Sequence, residues 1–393
     1  MLMTTNADHL LVVDDNKVNR MLLIRSLEEQ GHCVGSAANG CQALELLRSD
    51  SYDLVLLDIE MPEMDGYQVL SAMKQDTQLR HIPVIMVTAV DEVQSAIRCI
   101  EMGAEDYLPK PFNPVLLRAR ISASLGKKHL RDKEQIYLKS LERELEIGRE
   151  IQAGFLPKSL PQVSGWEIAA SLKSAKEVAG DFYDAFYLGP EQEICLVIAD
   201  VCDKGVGAAL FMTLFRSLLR FTIGSPDICG EVSSALKLKY AAALTNDYIA
   251  STHGETGMFA TIFLGLLNPT NGTLIYVNAG HESPLLVNSN GMFASLKRTG
   301  PAVGVIWGTE FDVQEVQLQS GDLFFAFTDG APDALSPMRK SFGRERLISL
   351  LHSDTSAGTL LAEIYAQLNE HIAEAEQFDD ITLLVVRRLT PPS

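Results

Sequence analysis

Ala199-Asp200-Val201-Cys202-Asp203-Lys204-Gly205-Val206-Gly207-Ala208-Ala209-Leu210 joins two apolar segments of different character. Ile194 to Ile198 before it is of strand length, and Ala208 to Phe221 after it is of helix length. Asp200 is therefore expected where a buried strand ends and a glycine-bearing turn enters a helix. A strand end holds a carboxylate rigidly, and glycines there let backbone approach an ion or a phosphate. Three further acidic motifs are spaced along the chain: Gly180-Asp181-Phe182-Tyr183-Asp184, Thr328-Asp329-Gly330 and Phe378-Asp379-Asp380-Ile381-Thr382. Each is weak by itself, since Asp-Gly also makes ordinary turns. Asp379-Asp380 carries more, because adjacent carboxylates before an apolar strand repel unless a cation compensates them. Gathered carboxylates suit hard divalent cations such as Mg²⁺ or Mn²⁺.

Around these motifs, from about 160 to 390, strands come in groups: Trp166–Lys173, Phe182–Leu188, Glu193–Ala199, Phe259–Leu267, Thr273–Asn278, Leu285–Val287, Asp322–Thr328 and Ile381–Arg387. Asn271-Gly272 reads as a hairpin turn. Helical stretches are expected near 207–222, 231–250 and 343–374. Strands in blocks and helices in blocks imply an α+β double sheet flanked by helices.

Upstream, residues 8–125 alternate short apolar runs with amphipathic stretches. Leu10–Val13, Leu54–Leu57, Val84–Val87 and a short run at Tyr107–Leu108 read as strands, and Asn19–Gln30 as a helix. This is the pattern of an α/β doubly wound parallel sheet, whose site lies at the carboxyl ends of the strands. There stand Asp14, Asp15, Asp58, Thr88 and Lys110. Such a set can hold Mg²⁺, offer one carboxylate to a phosphoryl group, and neutralise the charge that results.

Between the two lies a connector, 126–158. Lys127 to Gln152 has no proline and one glycine, Gly148, and favours a long helix. Leu130, Tyr137, Leu138, Leu141, Leu145 and Ile151 recur at three, four or seven. The stretch reads either as a solvated spacer or as a coiled-coil-like helix that pairs two chains. Pro157 and Pro161 close it.

The 393 residues suggest a multidomain chain of two or three units of ~100–200 residues each. A net charge of −18 argues against nucleic acid or an anionic membrane as main partner. The six cysteines form no Cys-x-x-Cys pair, so neither a zinc site nor a disulfide framework is indicated. No apolar run is read as reaching the ~18–20 residues of a membrane span, and Met1 to His9 shows no signal-peptide pattern. A cytoplasmic protein without a membrane partner is expected.

The N-terminal segment resembles the receiver domain of bacterial response regulators, through Val-Val-Asp-Asp-Asn, Leu-Leu-Asp-Ile-Glu-Met-Pro-Glu-Met-Asp-Gly, Val-Thr-Ala and Tyr-Leu-Pro-Lys-Pro-Phe. The resemblance implies Asp58 as phosphoacceptor. It implies Asp15 and Asp58 as Mg²⁺ ligands with Asp14 beside them and the Glu60 carbonyl, and Thr88 and Tyr107 as the residues that rearrange. A sensor histidine kinase or phosphotransfer protein would be the donor.

From about 145 to 390 the chain resembles the PPM-type serine/threonine phosphatases of the SpoIIE/RsbU branch. The matching pieces include Val-Ala-Gly-Asp-Phe-Tyr-Asp, Ile-Ala-Asp-Val-Cys-Asp-Lys-Gly, Asn-Ala-Gly-His-Glu-Ser-Pro, Phe-Thr-Asp-Gly and Phe-Asp-Asp-Ile-Thr. The resemblance implies that Asp200 bridges two Mn²⁺ or Mg²⁺ ions and that the Val201 carbonyl binds one. Asp329 and Asp379 would complete the other with Asp380 adjacent, and Asp184 and Asp181 would hold waters of the second. Asp200, Asp329 and Asp379 are the expected catalytic set, and His281 is either a general acid or a loop-positioning residue. Asp203 stands where many relatives have glycine. Relatives act on phosphorylated STAS-domain anti-sigma antagonists, which makes such a protein the expected substrate. A non-catalytic adaptor that binds a sigma or anti-sigma factor is the alternative.

Overall fold

A computed structural model describes residues 7–89, 93–189, 193–225, 232–352 and 354–390. Cys229 and residues 231–233 at the expected helix start meet this boundary: Cys229 and position 231 lie outside the described residues. The chain divides into two compact units between Leu141 and Glu142.

In the first unit, strands β1 (His9–Val13), β2 (Cys33–Ala37), β3 (Leu54–Asp58), β4 (Val84–Ala89) and β5 (Asp106–Lys110) form one parallel sheet in the order β2-β1-β3-β4-β5. Leu10, Val12, Leu54 and Leu56 face helices α1 (Lys17–Glu28) and α5 (Pro114–Ala153). Leu11, Val13, Val55 and Leu57 face α2 (Gly40–Ser49), α3 (Gly66–Gln75) and α4 (Val93–Glu101). Both faces are covered, which is why these strands read as continuous apolar runs. Strand β2 was not expected from the sequence. Cys-Val-Gly-Ser-Ala is a half-exposed edge strand with little apolar surface to announce it.

Helix α5 runs unbroken for 40 residues. The helical linker expected over 126–158 is present as the later part of α5, continuous with the last helix of the sheet unit. Gly126 lies within α5, where an exposed glycine costs about 1 kcal/mol and does not end a helix.

In the second unit two antiparallel sheets stack. One has the order β13-β10-β9-β8-β7, built from β7 (Phe182–Leu188), β8 (Glu193–Val201), β9 (Ala260–Leu267), β10 (Thr273–Ala279) and β13 (Gln314–Gln317). The other has the order β12-β11-β14-β15-β6, built from β6 (Trp166–Lys173), β11 (Leu285–Val287), β12 (Phe293–Ser295), β14 (Leu323–Phe327) and β15 (Ile381–Arg388). Ile194, Leu196, Ile198, Phe263, Phe324, Ala326, Leu384 and Val386 fill the space between the sheets. Helices α6 (Val206–Gly224) and α7 (Ser234–His253) cover the outer face of the first sheet. Helices α8 (Arg344–Ser349) and α9 (Ala357–Ile372), expected as one stretch, cover that of the second. Strands β12 and β13, also unexpected, are short and mostly exposed and lie at the sheet edges.

One composition reading is corrected. Helix α6 is 19 residues long with a mean hydropathy of 1.5, enough by length and composition to cross a membrane. In the fold Ala208, Met212, Phe215, Leu219 and Ile223 on one side of it pack on the sheet.

The turn into α6 carries Asp203 at φ 71°, in the left-handed region where glycine is favoured. Its carboxylate accepts the Lys204 amide hydrogen at 2.8 Å, the local bond that lets aspartate occupy this region. The glycine of the relatives is thus replaced without loss of the turn. Asp203→Ala, which lacks that bond, is expected to lower unfolding stability by about 1 kcal/mol, and Asp203→Gly to leave it within a few tenths. Urea midpoints of the two variants compare them directly; equal losses would show that the left-handed turn is not what the side chain supports.

Candidate active sites

In the parallel sheet, Asp14 and Asp15 follow β1, and Asp58 ends β3. Each offers an oxygen within 4.8 Å of the others. The Lys110 ammonium lies 2.7 Å from Asp58 Oδ2 and 3.1 Å from Asp14 Oδ2. Burial raises the Asp58 carboxyl, and Asp14 and Asp15 add to that against the pull of Lys110. Burial alone would lower Lys110, but its bonds to Asp58 and Asp14 prevail and hold it up. Arg20 Nη1 donates to the Asp14 carbonyl at 2.6 Å, fixing the loop after β1. Gly66 is demanded by contact: a Cβ there would lie 2.2 Å from the Asp58 carbonyl oxygen. Glu60 is exposed on the rim of a cavity of about 570 Å³ that also contains Asp15, Asp58 and Lys110. Thr88 is buried at the end of β4, and half-buried Tyr107 on β5 lies under the Arg120 guanidinium at 4.8 Å.

In the double sheet, strand alternation decides which acids meet. Ile194, Leu196 and Ile198 point between the sheets, so Asp200 does too, at the open end of β8. By the same count Thr328 follows Phe324 and Ala326, and Thr382 precedes Leu384 and Val386. Both threonine hydroxyls donate to Asp181 Oδ2 at 2.7 Å. Asp181 is buried, hydrogen-bonds Asp200, and is pushed well above the usual carboxylate range by burial and by Asp200 and Asp380. Asp200 itself is raised to about 7, by burial first and then by Asp329, Asp379 and Asp380. Asp329 is raised by desolvation and by Asp379. Gly330 admits no side chain: a Cβ would sit 2.0 Å from the Asp380 carbonyl.

Two expected ligands have other partners. Asp184 is three residues from Asp181 and so falls on the opposite face of β7, with Phe182, toward the helices. There it pairs with Arg216 at 2.9 Å and Arg220 at 2.6 Å. Asp380 accepts amide hydrogens from Ala175 and Gly180, both at 2.7 Å, and fixes the turn before β7. Both aspartates thus have protein partners where they stand.

Several neighbours were not singled out from the sequence. Lys204 Nζ meets Asp379 Oδ2 at 2.9 Å and the Phe378 carbonyl at 2.6 Å. Thr261, Glu282 and Arg298 line a cavity of about 90 Å³ with Asp200, Asp329 and His281. Arg298 donates to the His281 carbonyl at 3.0 Å, and Glu282 pairs with Arg344 at 2.6 Å. Thr261 was recoverable, since it stands opposite Asp200 in the β8–β9 register; the others come from loops. His281 is buried, with Nδ1 2.8 Å from Thr261 Oγ1, and burial lowers it to about 3. Near neutral pH it is an uncharged imidazole, which favours loop positioning over acid catalysis. The carboxylates around Asp200 are oxygen donors of the kind a hard divalent ion takes, with Lys204 and Arg298 as the nearby cations, whereas among the described residues only Asp14, Asp15 and Asp58 bring three ligand atoms within 4.8 Å of one another.

Comparison with known proteins agrees with both folds. The family profile of stage II sporulation protein E (SpoIIE) matches residues 190–389, and that of the response regulator receiver domain matches residues 10–122. The chain belongs to the SpoIIE family and carries a receiver domain ahead of that region. It is 45% identical to protein IcfG of Synechocystis sp. over 263 residues, 62% of this chain and 41% of that protein. It is 44% identical to the transcriptional regulatory protein CpxR of Escherichia coli over 126 residues, 32% of this chain and 53% of that one. The SiaA-PP2C domain of Pseudomonas aeruginosa superposes with a TM-score of 0.54 at 22% identity, over 64% of this chain and 98% of that one, which shows a shared fold. The chain spans between a quarter and about half the length of the curated relatives it matches.

The raised carboxyls fix a pH dependence. Their folded-state values lie above the unfolded one, so between about pH 4 and 7 the native state keeps protons that the unfolded chain has lost. Stability from this cluster is then full at the acid end and declines as pH rises to about 7. In EDTA, the wild-type urea midpoint is expected to fall from about pH 5 to about pH 7.5 more steeply than that of Asp200→Asn, and Mn²⁺ to remove the difference. Parallel profiles for the two proteins would contradict the assignment.

Proposed function

We propose that this chain is a response regulator in which Asp58 phosphorylation controls a metal-dependent protein serine/threonine phosphatase. The observation that carries the reading is the concentration of Asp181, Asp200, Asp329 and Asp379 at one end of the stacked sheets, where burial first and neighbouring carboxylates second raise the carboxyls of Asp181, Asp200 and Asp329. Such crowding is costly unless cations are bound there. Asp200, the Val201 carbonyl, Asp329 and Asp379 are the proposed ligands of two Mn²⁺ or Mg²⁺ ions. Asp181, braced by Thr328 and Thr382, orients Asp200. Ions of this kind lower the pKa of bound water and neutralise phosphoryl oxygens. Arg298, on the cavity wall between Asp200 and Asp329, presents a guanidinium to the substrate phosphate. Asp184 and Asp380 have structural roles.

In the receiver, Asp15, Asp58 and the Glu60 carbonyl are the proposed Mg²⁺ ligands, with Asp14 adjacent. Lys110 is placed to bond a phosphoryl group on Asp58. Thr88 and Tyr107 are the proposed switch residues. A histidine kinase or phosphotransfer protein is the proposed phosphodonor. A phosphorylated STAS-type antagonist is the proposed substrate, supported by family resemblance. The adaptor reading is disfavoured because the central carboxylates are all present.

The deciding assay is Mn²⁺-dependent hydrolysis of an aryl phosphate and of a phosphoserine STAS protein, with and without beryllofluoride. Asp200→Asn is expected to lose at least ~10³-fold in rate. Asp58→Asn is expected to keep its basal rate and lose the response to beryllofluoride. A folded wild type inactive on every phosphoprotein and metal tried would return the adaptor.

Leu130, Tyr137, Leu138, Leu141 and Ile151 of α5 are exposed apolar side chains on one helix. We read them as the contact of a homodimer. Light scattering is expected to give a dimer for wild type and a monomer for Leu138→Glu/Leu141→Glu; a monomeric wild type, with and without beryllofluoride, removes the dimer.

A further inference from the structure

A cavity of about 720 Å³ opens in the second unit, between the segment that follows α5, strand β7 and helix α6. Lys158 comes from the segment, Phe186 and Tyr187 from β7, and Arg216 and Arg220 from α6. Among the described residues its lining has three cationic side chains and no carboxylate, in a chain of net charge −18. Local positive potential in an acidic protein needs a cause, because such a chain has many carboxylates available to cancel it.

Asp184 lies behind the two arginines and does not cancel them. It forms an ion pair with Arg216 Nη2 at 2.9 Å and accepts from Arg220 Nε and Nη2 at 2.6 and 2.9 Å. One negative charge faces two guanidiniums, so one positive charge is left over before Lys158 is added. Arg216 is the less accessible of the two, with its side chain 11% exposed, and its Nε is buried without a hydrogen-bond partner. That nitrogen is out of reach of the cavity, and the part of the guanidinium that stays exposed is what can present charge to an anion there. The rest of the wall is mixed, with Ser159, Gln162 and Tyr187 polar and an apolar side besides. Phe155, Leu156 and Phe186 contribute, and Arg220 lies 4.2 Å over the Phe186 ring.

We propose that this cavity binds a small organic phosphate, its phosphate held by Arg216 and Lys158 and its apolar or planar part against Phe155 and Phe186. A concave cavity with two or three convergent donors suits a small molecule better than a protein surface. The ligand would tie residues 155–158 to α6, the helix that continues from the Asp200 turn, which makes the cavity a place to read a metabolite into the catalytic unit. The binding claim stands apart from the phosphatase reading.

Calorimetry on the full chain in EDTA, which empties both acidic sites of metal, separates the cavity from them. The probes are AMP, glucose 6-phosphate and inorganic phosphate, with a phosphoserine peptide as the protein-partner control. At least one ester is expected to bind saturably with a Kd below ~1 mM. Arg216→Leu and the exposed Lys158→Glu are each expected to weaken it by about tenfold, whereas Asp200→Asn and Asp58→Asn leave it unchanged. Lys158→Glu keeps the test valid should Arg216→Leu fail to fold. No saturable binding of any probe, or binding indifferent to Lys158→Glu, overturns the proposal. Inorganic phosphate binding as tightly as both esters overturns the organic part of the assignment, and binding of a phosphoserine peptide in place of all three reassigns the site to a protein partner.

Discussion

Repulsion among carboxylates in a low-dielectric setting governs both halves of this molecule. In the receiver, Asp14, Asp15 and Asp58 share a small volume, and one ammonium, Lys110, pairs two of them. In the double sheet the same problem is larger. Asp200 feels Asp329, Asp379 and Asp380 at once, and it is hydrogen-bonded to Asp181. Only Lys204 pairs directly with a member of that group among the described residues. The protein handles the excess by three devices. It keeps a proton in the Asp181–Asp200 pair, it consumes Asp380 on backbone amides, and it leaves Asp329 at the open mouth. Each is understandable as a holding arrangement for charge that a bound cation completes.

The two sites also share a way of building. Each brings a second chain segment across the backbone of an aspartate at the end of a buried strand, the carboxyl end in one case and the amino end in the other, so closely that only glycine fits. Gly66 crosses the Asp58 carbonyl, and Gly330 crosses that of Asp380. In both cases the glycine is required by the space, not by its φ, and the preceding residue is a functional or capping aspartate: Asp65 caps α3, and Asp329 joins the acidic centre. Asp-Gly in this chain is therefore a packing signature as much as a turn.

The elements with strong periodicity were legible in the sequence: four of the receiver strands, the long helix, and the apolar strands of both sheets. What was missed, β2, β12 and β13, lies at sheet edges, where half-exposed residues carry no alternation to read. The acidic motifs were legible as a group, but not the role of each aspartate. Asp181 and Asp184 looked equivalent as letters. Their odd spacing on one strand sends them to opposite faces, and that parity was available before any coordinates. Asp380 could not be sorted in this way. Its parity is right, and only the loop at Ala175–Gly180 turns its carboxylate into an anchor. Lys204, Glu282 and Arg298 enter through loops whose paths no periodicity encodes.

The choice of ion follows from what is kept away from the centre as well as from what is present. Two soft or borderline ligands stand close by in sequence. Cys202 is two residues from Asp200, but its sulfur accepts the Phe259 amide hydrogen at 3.1 Å, and burial raises its thiol so that it stays protonated. His281 shares the cavity with Asp200, yet its Nδ1 is engaged with Thr261. A thiolate or a free imidazole at either place would favour zinc or copper by the ordinary order of affinities. With the thiol turned to backbone and His281 Nδ1 on a hydroxyl, the donors left are carboxylate and carbonyl oxygens and the buried His281 Nε2, which has no hydrogen-bond partner. An ion held by the oxygens of such a set would be a hard one that keeps part of its water, which is what the proposed phosphatase chemistry would need.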